Sequence, residues 1–305
     1  MRVDFHRFSL HRQTVSAVCL FFGLFATLAA PSAAQSRLNR PVPRYLQPST
    51  PDQQAGAALL REVRASGPAG DYYLEFELRV LPRRGDEVRI PGSLWGSRNS
   101  AGPVTRLLLS GTREGEVFTS IERRFLVQGG PRPAAWRWPA ADGTSTVAID
   151  DGALFAPLAG TDLSAFDLQM PFLYWPDFIY EGLTRLRGRP ASTFLLYPPA
   201  AIAARRPELS AIRVYLDAQF NALVQAEQLG ENEKVLKSMR VVDLKKIGDQ
   251  WMVKTLELRD ETARNKTRFA VTAAALGLDF AGGLFDPGTL PSVIRAPEKL
   301  TRLPE

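Results

Sequence analysis

Acid–base chemistry could be carried out by two glutamates that lie two positions apart, Glu75 and Glu77. Paired carboxylates serve glycoside hydrolysis, where one is the acid and the other the base or nucleophile. The pair lies within residues 72–80, where apolar and polar residues alternate. Alternation alone places every second side chain on the solvated face of a strand, so the spacing favours an exposed strand face over a catalytic pair.

A second group of carboxylates consists of Asp142, Asp150 and Asp151. Clustered carboxylates are the ligands that hard cations such as Ca²⁺ prefer. Asp142 and Asp151 are each followed by glycine, and Asp-Gly is an ordinary turn dipeptide. The sequence therefore favours turns over a metal site at these positions.

Cysteine and histidine, the other residue types with catalytic or metal-binding chemistry, occur only at the start of the chain, as Cys19, His6 and His11. Residues 1–34 combine a basic start, an apolar run over 15–30 and small residues at 32–34, which predicts a cleaved export signal. The mature chain would then contain neither Cys nor His. This excludes a thiolate nucleophile, a Ser-His-Asp triad and every metal or haem site that needs those ligands.

Composition and motifs narrow the classes further. The 305 residues are 45% hydrophobic and 23% charged, which is unlike a disordered chain, and the net charge is +6. No cluster of basic residues is interleaved with aromatics, so a mixed, mildly basic surface is favoured over nucleic-acid binding. No Gly-rich phosphate loop follows a strand. We expect no enzyme activity, no cofactor, no metal and no membrane-spanning segment in the mature chain.

Periodicity along the mature chain predicts a large antiparallel sheet. After a proline-rich flexible arm over 35–51, residues 52–65 have helical spacing, with Asp52 as the cap and Ala55, Leu60 and Val63 on one side. The pattern then changes to a period of two. Strands are predicted at 72–80, 88–95, 104–109, 116–127, 182–186, 192–197, 211–217, 222–229, 236–247, 250–260 and 266–272.

Between the two groups of strands lies a stretch of about 129–180, called the aromatic segment below, that is rich in aromatic residues and prolines. A short helix is predicted at 162–168, capped by Thr161 or Asp162, and the rest is too rich in proline to be regular. Such a segment either packs onto the core as an ordinary connection or acts as an apolar flap over a cavity in the sheet.

Several elements, taken in order, resemble the periplasmic outer-membrane lipoprotein-sorting proteins, the LolA/LolB-like group. The elements are Gly188-Arg189-Pro190 with the strand 192–197, Gly248-Asp249-Gln250-Trp251 leading into 255–260, the strand 266–272, and Leu284-Phe285-Asp286-Pro287 with Leu290. The resemblance implies a mainly β (α+β) fold: a curved antiparallel sheet that forms an incomplete β-barrel, with a few helices packed in its mouth. It also implies a cavity that takes acyl chains or other apolar groups.

We therefore expect one LolA-like half-barrel domain over 52–305, with the aromatic segment as an insertion. The expected function is that of a periplasmic carrier or sensor for a lipid or an acylated protein, served by a membrane-associated donor or acceptor protein. The alternative is an envelope protein–protein interaction module whose interior is packed. Periodicity and the flap interpretation predict the following cavity lining: Phe76, Leu78, Leu94, Phe118, Phe125, Phe166, Met170, Phe172, Trp175 and Phe178.

Overall fold

The computed structural model describes residues 50–114, 117–139 and 143–304, and for 112–118 and 120 it describes the backbone at most. The predicted export signal over 1–34, most of the arm over 35–51 and Asp142 lie outside the described residues. The α-helices are α1 (Gln53–Ala65), α2 (Ala165–Gln169) and α3 (Ala200–Arg205). Short 3-10 helices cover Leu158–Gly160, Pro171–Tyr174, Glu231–Glu233, Gly282–Phe285 and Pro287–Thr289.

Fourteen strands make up most of the described chain. They are β1 (Asp71–Leu81), β2 (Val88–Asn99), β3 (Gly102–Glu114), β4 (Val117–Gln128), β5 (Ala134–Trp138), β6 (Val147–Ala148), β7 (Phe178–Leu186), β8 (Arg189–Leu196), β9 (Ala211–Asp217), β10 (Ala222–Leu229), β11 (Val235–Ile247), β12 (Gln250–Asp260), β13 (Asn265–Leu278) and β14 (Thr301–Arg302).

The strands form one antiparallel sheet in the order β6-β5-β4-β3-β2-β1-β13-β12-β11-β10-β9-β8-β7, with β14 beside β13. In the described chain, each strand pairs with the next one in sequence except β6 with β7, and β1 also pairs with β13. The end strands β6 and β7 do not pair with each other in the described residues, so the sheet stays open. The predicted incomplete antiparallel barrel with a few helices is confirmed.

Strand β1 shows why the alternating sequence folds this way. Leu74, Phe76 and Leu78 are fully buried, and the ring of Phe76 stacks on Phe269 of β13 with centroids 4.1 Å apart. The opposite face was expected to be solvated, but Tyr73 on that face is buried. Its ring lies 5.1 Å from that of Trp95 and its hydroxyl is 3.1 Å from the Ser93 hydroxyl oxygen, so cross-strand packing covers it.

Helix α1 begins where the sequence predicts. The Asp52 carboxylate accepts hydrogen bonds from the backbone amides of Gln54 and Ala55, at 2.8 and 3.3 Å. The buried side consists of Gly56, Leu60 and Val63, whereas Ala55 is exposed. A Cβ atom at Gly56 would lie 2.5 Å from the Tyr180 Cβ, so only glycine allows the helix to approach strand β7 this closely.

The aromatic segment is more regular than its prolines suggest. Strand β5 lies within it and pairs with β4, so the expectation of irregular chain outside one helix is wrong there. Helix α2 begins at Ala165, three residues later than predicted, because Ser164 rather than Thr161 or Asp162 is the cap. The Ser164 hydroxyl oxygen accepts from the Asp167 amide, while the Asp167 carboxylate accepts from the Ser164 amide and forms a capping box.

Two buried arginines fasten the chain after β13 to the other face of β3 and β4. The Arg106 guanidinium donates to backbone carbonyl oxygens of Leu284, Thr289, Leu290 and Ser292, at 2.7–3.1 Å. Arg124 donates to the Leu290 carbonyl at 3.3 Å and stacks over the Trp138 ring. Burial, followed by the nearby charge of Arg124, lowers the pKa of Arg106 to about 10. Leu290 is thereby fully buried beside Val104 and Leu126.

A buried carboxylate joins strands β11, β12 and β13. Glu257, only 3% exposed, contacts Arg240, Arg268 at 3.1 Å and Lys266 at 3.4 Å. Burial alone would raise the pKa of Glu257, but the hydrogen bond from Arg268 and the charges of Arg240 and Lys266 outweigh it, so the pKa lies below its ordinary value. A lowered carboxyl pKa stabilises the fold above the unfolded-state pKa, and that stabilisation disappears as the pH falls through the folded-state value.

We expect Glu257→Gln to lower the free energy of unfolding at pH 7 by about 2–3 kcal/mol, because it leaves three cations without their shared carboxylate. Urea unfolding at a series of pH values from 7 downward measures this, and the deficit should shrink as the pH falls through the folded-state pKa of Glu257, where the wild-type carboxylate itself becomes protonated. The matched control is Glu87→Gln, which removes an exposed pair with Arg89 and should cost less than about 1 kcal/mol. Equal losses for both variants at pH 7 would contradict the role assigned to Glu257.

Candidate ligand-binding site

The predicted lining residues come together on one face of the sheet. Those on strands are Phe76, Leu78, Leu94 and Phe125, and those from the aromatic segment are Phe166, Met170, Phe172, Trp175 and Phe178. All nine belong to or pack against a single apolar cluster, and all are buried except Phe178, which is half-buried. The tenth, Phe118, lies in β4, and its side chain lies outside the described part of the structure.

Aromatic rings from the segment fill the space over the strands. The ring centroid of Phe166 lies 4.4 Å from that of Phe155, 6.0 Å from that of Phe172 and 6.3 Å from that of Trp175. These separations and the tilted ring planes are those of favourable aromatic pairs. The segment therefore covers the apolar face of the sheet with its own side chains, and a ligand on that face has to displace them.

A left-handed residue turns the chain so that these rings point inward. Met170 has φ 44° and ψ 51° and joins the end of α2 directly to the 3-10 helix that begins at Pro171. A non-glycine residue in this region costs free energy and persists only where its surroundings fix it. Burial fixes the conformation here: the Met170 side chain lies in the same buried cluster as the rings of Phe166 and Phe172.

A few polar contacts fasten the segment to the sheet. The Lys237 ammonium of β11 and the Gln228 amide of β10 both donate to the buried Asp167 carboxylate, the latter at 3.3 Å. Nearby, the Asp162 amide donates to the Thr267 hydroxyl oxygen at 2.9 Å, and that hydroxyl donates to the Asp162 carboxylate at 2.7 Å. Burial raises the pKa of Asp162, which the Thr267 hydrogen bond and the charge of Lys237 partly offset. We call these five side chains the segment latch.

A cleft of about 290 Å³ lies beside the segment latch. Asp162, Ser164 and Lys237 line it together with Phe155, and the Arg206 guanidinium lies 4.5 Å from the centroid of the Phe155 ring. Water and polar groups therefore reach the latch from one side, while the aromatic cluster lies on the other. The latch thus lies at the solvent-accessible edge of the contact between the segment and the sheet.

The carboxylates that could have done chemistry are engaged in ion pairs and turns. Glu75 pairs with Arg302, and Glu77 pairs with Arg79 at 3.1 Å. Asp150 accepts from the Ala153 amide in a turn, and Asp151 pairs with Arg205 at 2.8 Å. Within the three described ranges, no group of three or more His, Cys, Asp or Glu side chains is placed to hold a metal ion.

Sequence reasoning located the aromatic cluster but missed the segment latch. Lys237 and Asp167 are 70 positions apart, and Thr267 and Asp162 are 105 apart. Each of these residues is an ordinary polar residue in its local context. The one local signal was Ser164 followed by Asp167, which is the spacing of a capping box.

Comparison with known proteins agrees with this architecture. No protein-family model and no curated protein matches the chain. A domain from Vibrio parahaemolyticus described as outer membrane lipoprotein-sorting has a similar structure, with TM-score 0.66 at 15% identity over 78% of this chain and 99% of that one. A DUF1329 family protein from Desulfovibrio piger gives TM-score 0.64 at 15% identity over 78% and 98%. The chain has a LolA-like fold.

A LolA superfamily protein from Nitrosomonas europaea gives TM-score 0.55 at 11% identity, over 76% of this chain and 96% of that one. The LolA-like chain thus spans nearly the whole length of each of these three structures. At such identities the likeness concerns the fold, and the resemblance expected from the sequence is confirmed at that level. None of the helices in the part of the chain that the structure describes is both long and apolar enough to cross a membrane.

We expect Lys237→Met to release the aromatic segment more readily, because it leaves the buried Asp167 carboxylate without its cation. Hydrogen–deuterium exchange should become at least tenfold faster over residues 160–175 and stay unchanged in β1 and β13. The control is Lys234→Met, which alters an exposed lysine three residues earlier on the chain. Uniformly faster exchange across the sheet would show that Lys237 stabilises the whole fold instead of fastening the segment.

Proposed function

We propose that this protein is a periplasmic carrier or sensor that holds a lipid, an acylated protein or another apolar ligand on the covered face of its sheet, without catalysis. One observation carries the proposal: in a LolA-like fold, the apolar face of an open sheet is covered by a connecting segment and one helix instead of by further strands. A connection fastened by a small set of polar contacts can be displaced, whereas a paired strand cannot be displaced without breaking its ladder.

Binding on this face needs no directed chemistry. Hydrocarbon is held in proportion to the apolar area removed from water, at about 25 cal/mol per Å². The ligand would enter between the sheet residues Phe76 and Leu78 and the rings of the aromatic segment. Phe166, Phe172 and Trp175 would then move outward and cover the ligand instead of the sheet. Release would then require a membrane-associated donor or acceptor protein that offers a competing apolar surface.

The export signal predicted at 1–34 supports a periplasmic location for this exchange, where the transported group would have to cross an aqueous space. The same proposal explains why no catalytic constellation is needed. The carboxylates that the sequence offered are used in ion pairs and turns, and transfer between two apolar surfaces involves no covalent step.

A second candidate is an envelope protein–protein interaction module, and the filled interior favours it. Phe166 is fully buried, and Met170, Phe172 and Trp175 are each at most 4% exposed. If the segment never leaves the sheet, the protein acts through its surface alone. The two candidates differ in one measurable respect, which is whether the folded protein acquires acyl chains.

Mass spectrometry of lipids extracted from the purified mature protein separates the two candidates. The carrier is supported by acyl species that copurify at a fixed ratio and are removed by added detergent. Protein without acyl species, even after incubation with vesicles of phosphatidylethanolamine and phosphatidylglycerol, would overturn the carrier and leave the interaction module.

We expect the double variant Phe172→Ala with Trp175→Ala to lose ligand more than it loses folding. Each truncation removes apolar contact with the ligand worth about 1.5–3 kcal/mol, so retained acyl species should fall more than tenfold. Circular dichroism at 20 °C checks that the double variant is folded. If the alanine variant is unfolded, the milder double variant Phe172→Leu with Trp175→Leu is used instead.

The matched control for this pair is Leu290→Ala, which removes a fully buried side chain from the separate cluster with Val104 and Leu126. It should lower the free energy of unfolding by about 3–5 kcal/mol while the folded fraction keeps more of its ligand than the segment variant does. Loss of ligand in proportion to loss of stability in both variants would count against a functional flap.

A further inference from the structure

A cavity of about 370 Å³ lies at the end of the sheet where strands β7 to β12 turn, and three of its lining residues, Val224, Val241 and Leu244, also pack against the main apolar cluster. Its volume lies within the range of small-molecule sites. None of the nine predicted lining residues with described side chains borders it. The cavity is lined by Leu186, Arg187, Arg189, Pro190, Ala191, Asp217, Val224, Val241, Val242, Asp243, Leu244 and Trp251.

Irregularities in two neighbouring strands coincide with this cavity. The register between β9 and β10 shifts between Leu223 and Gln225, which leaves Val224 as an extra residue. The register between β11 and β12 shifts on both sides of Asp243. Bulges re-aim side chains and occur preferentially next to functional sites. Here they bring Val224, Val241 and Leu244 into one apolar wall beside the half-buried Trp251.

The polar rim of the cavity contains a turn with an unusual residue. Arg187 and Gly188 connect β7 to β8 with φ values of 50° and 88°, so both residues are left-handed. A two-residue turn of this kind favours Asn, Asp or Gly at its first position. An arginine there adopts an unfavourable backbone conformation, and such strain tends to be kept where a side chain is used.

Of the four charged residues in the lining, Arg187, Arg189, Asp217 and Asp243, only Arg187 has no ion-pair partner among the described residues. Asp217 pairs with Arg189 at 3.1 Å, and Asp243 lies 3.6 Å from the Lys254 ammonium. Arg187 donates to the Gln225 side-chain oxygen at 2.8 Å, and no carboxylate in the described ranges lies within 4 Å of its guanidinium. Burial, followed by repulsion from Arg240, lowers the pKa of Arg187. An acidic oxygen placed beside Arg187 would therefore gain a charge-assisted hydrogen bond.

We propose that this cavity is a second ligand site, which binds a single-chain amphiphile with an anionic headgroup. The chain lies against Val224, Val241, Leu244 and Trp251, and an acidic oxygen of the headgroup accepts a hydrogen bond from Arg187. A fatty acid and a single-chain phospholipid share this chemistry. No residue of the aromatic segment lines this site, and the proposal does not depend on the carrier function proposed above.

The test titrates the mature protein with decanoate, decyl phosphate and decyl maltoside below their micelle concentrations, using isothermal titration calorimetry. We expect saturable binding of both anions and at least tenfold weaker binding of the neutral maltoside. Tighter binding of decyl phosphate identifies the phospholipid source, and tighter binding of decanoate identifies the fatty acid. Shortening decanoate to octanoate should weaken binding about sixteenfold, since each buried methylene contributes about fourfold. Equal affinity for all three headgroups would overturn the proposal.

The decisive variant is Arg187→Asn, because asparagine suits the left-handed turn and removes the guanidinium that would donate to the headgroup. It should weaken binding of both anions at least tenfold and leave decyl maltoside unchanged. Arg185→Asn, at an exposed position two residues earlier on the same hairpin, is the matched control and should have no effect. No difference between these variants would overturn the headgroup contact.

Trp251→Ala should weaken binding of all three probes, because it removes part of the apolar wall. The double variant at Phe172 and Trp175 should bind decanoate like the wild type. If that double variant instead abolishes decanoate binding, the ligand lies under the aromatic segment, and the proposal of a second site is wrong while the carrier proposal stands.

Discussion

The constraint on which the rest of the structure depends is that an open antiparallel sheet exposes one broad apolar face, which must be covered. A closed barrel covers that face by itself, and a sandwich covers it with a second sheet. This chain uses helix α1 and the aromatic segment instead. Gly56 lets α1 approach β7, and Phe166, Phe172 and Trp175 supply most of the remaining cover. The cover is therefore built from side chains that belong to a connection, and it is held by different forces from the sheet.

The sheet and the segment differ in how many contacts must break before each can open. The sheet is held by backbone ladders and by shared charges such as Glu257 with Arg240 and Arg268, so it opens only by losing many contacts together. The segment is held by apolar packing, which any apolar ligand can replace, and by the segment latch around Asp167. Desolvation makes the buried Asp167 carboxylate costly once the Lys237 cation leaves, so this one ion pair contributes most to how firmly the latch would hold the segment. This combination lets a filled interior coexist with a proposed carrier function.

The sequence predicted most of the fold because the sheet follows the alternation of its strands, which is a local pattern. It could not predict Tyr73 as buried, since its cover is supplied by Trp95 on the next strand. Strand β5 was hidden among prolines, and pairing with β4 outweighs their effect. The hydrogen bond from Arg106 to the Leu290 carbonyl, called the arginine clasp here, joins residues more than 180 positions apart. The same holds for Lys237 and Asp167, so the latch and the clasp become visible only in three dimensions.

Two parts of the chain cover the sheet: the aromatic segment with α1 on the apolar face, and the chain around Leu290 on the other face. Their positions bear on where a second cavity can exist. Arg106 and Arg124 hold the chain around Leu290 against the outer side of β3 and β4, so that end of the sheet is covered on both faces. At the other end, Leu216 of β9 faces the main core while the neighbouring Asp217 points away from it, and no clasp of this kind lies over Asp217 in the described residues. Side chains there must either be polar or form a pocket. The bulges at Val224 and Val242 lie in the lining of the cavity there, with Val224 also packed against the main core, and Arg187 and Arg189 provide its charged border.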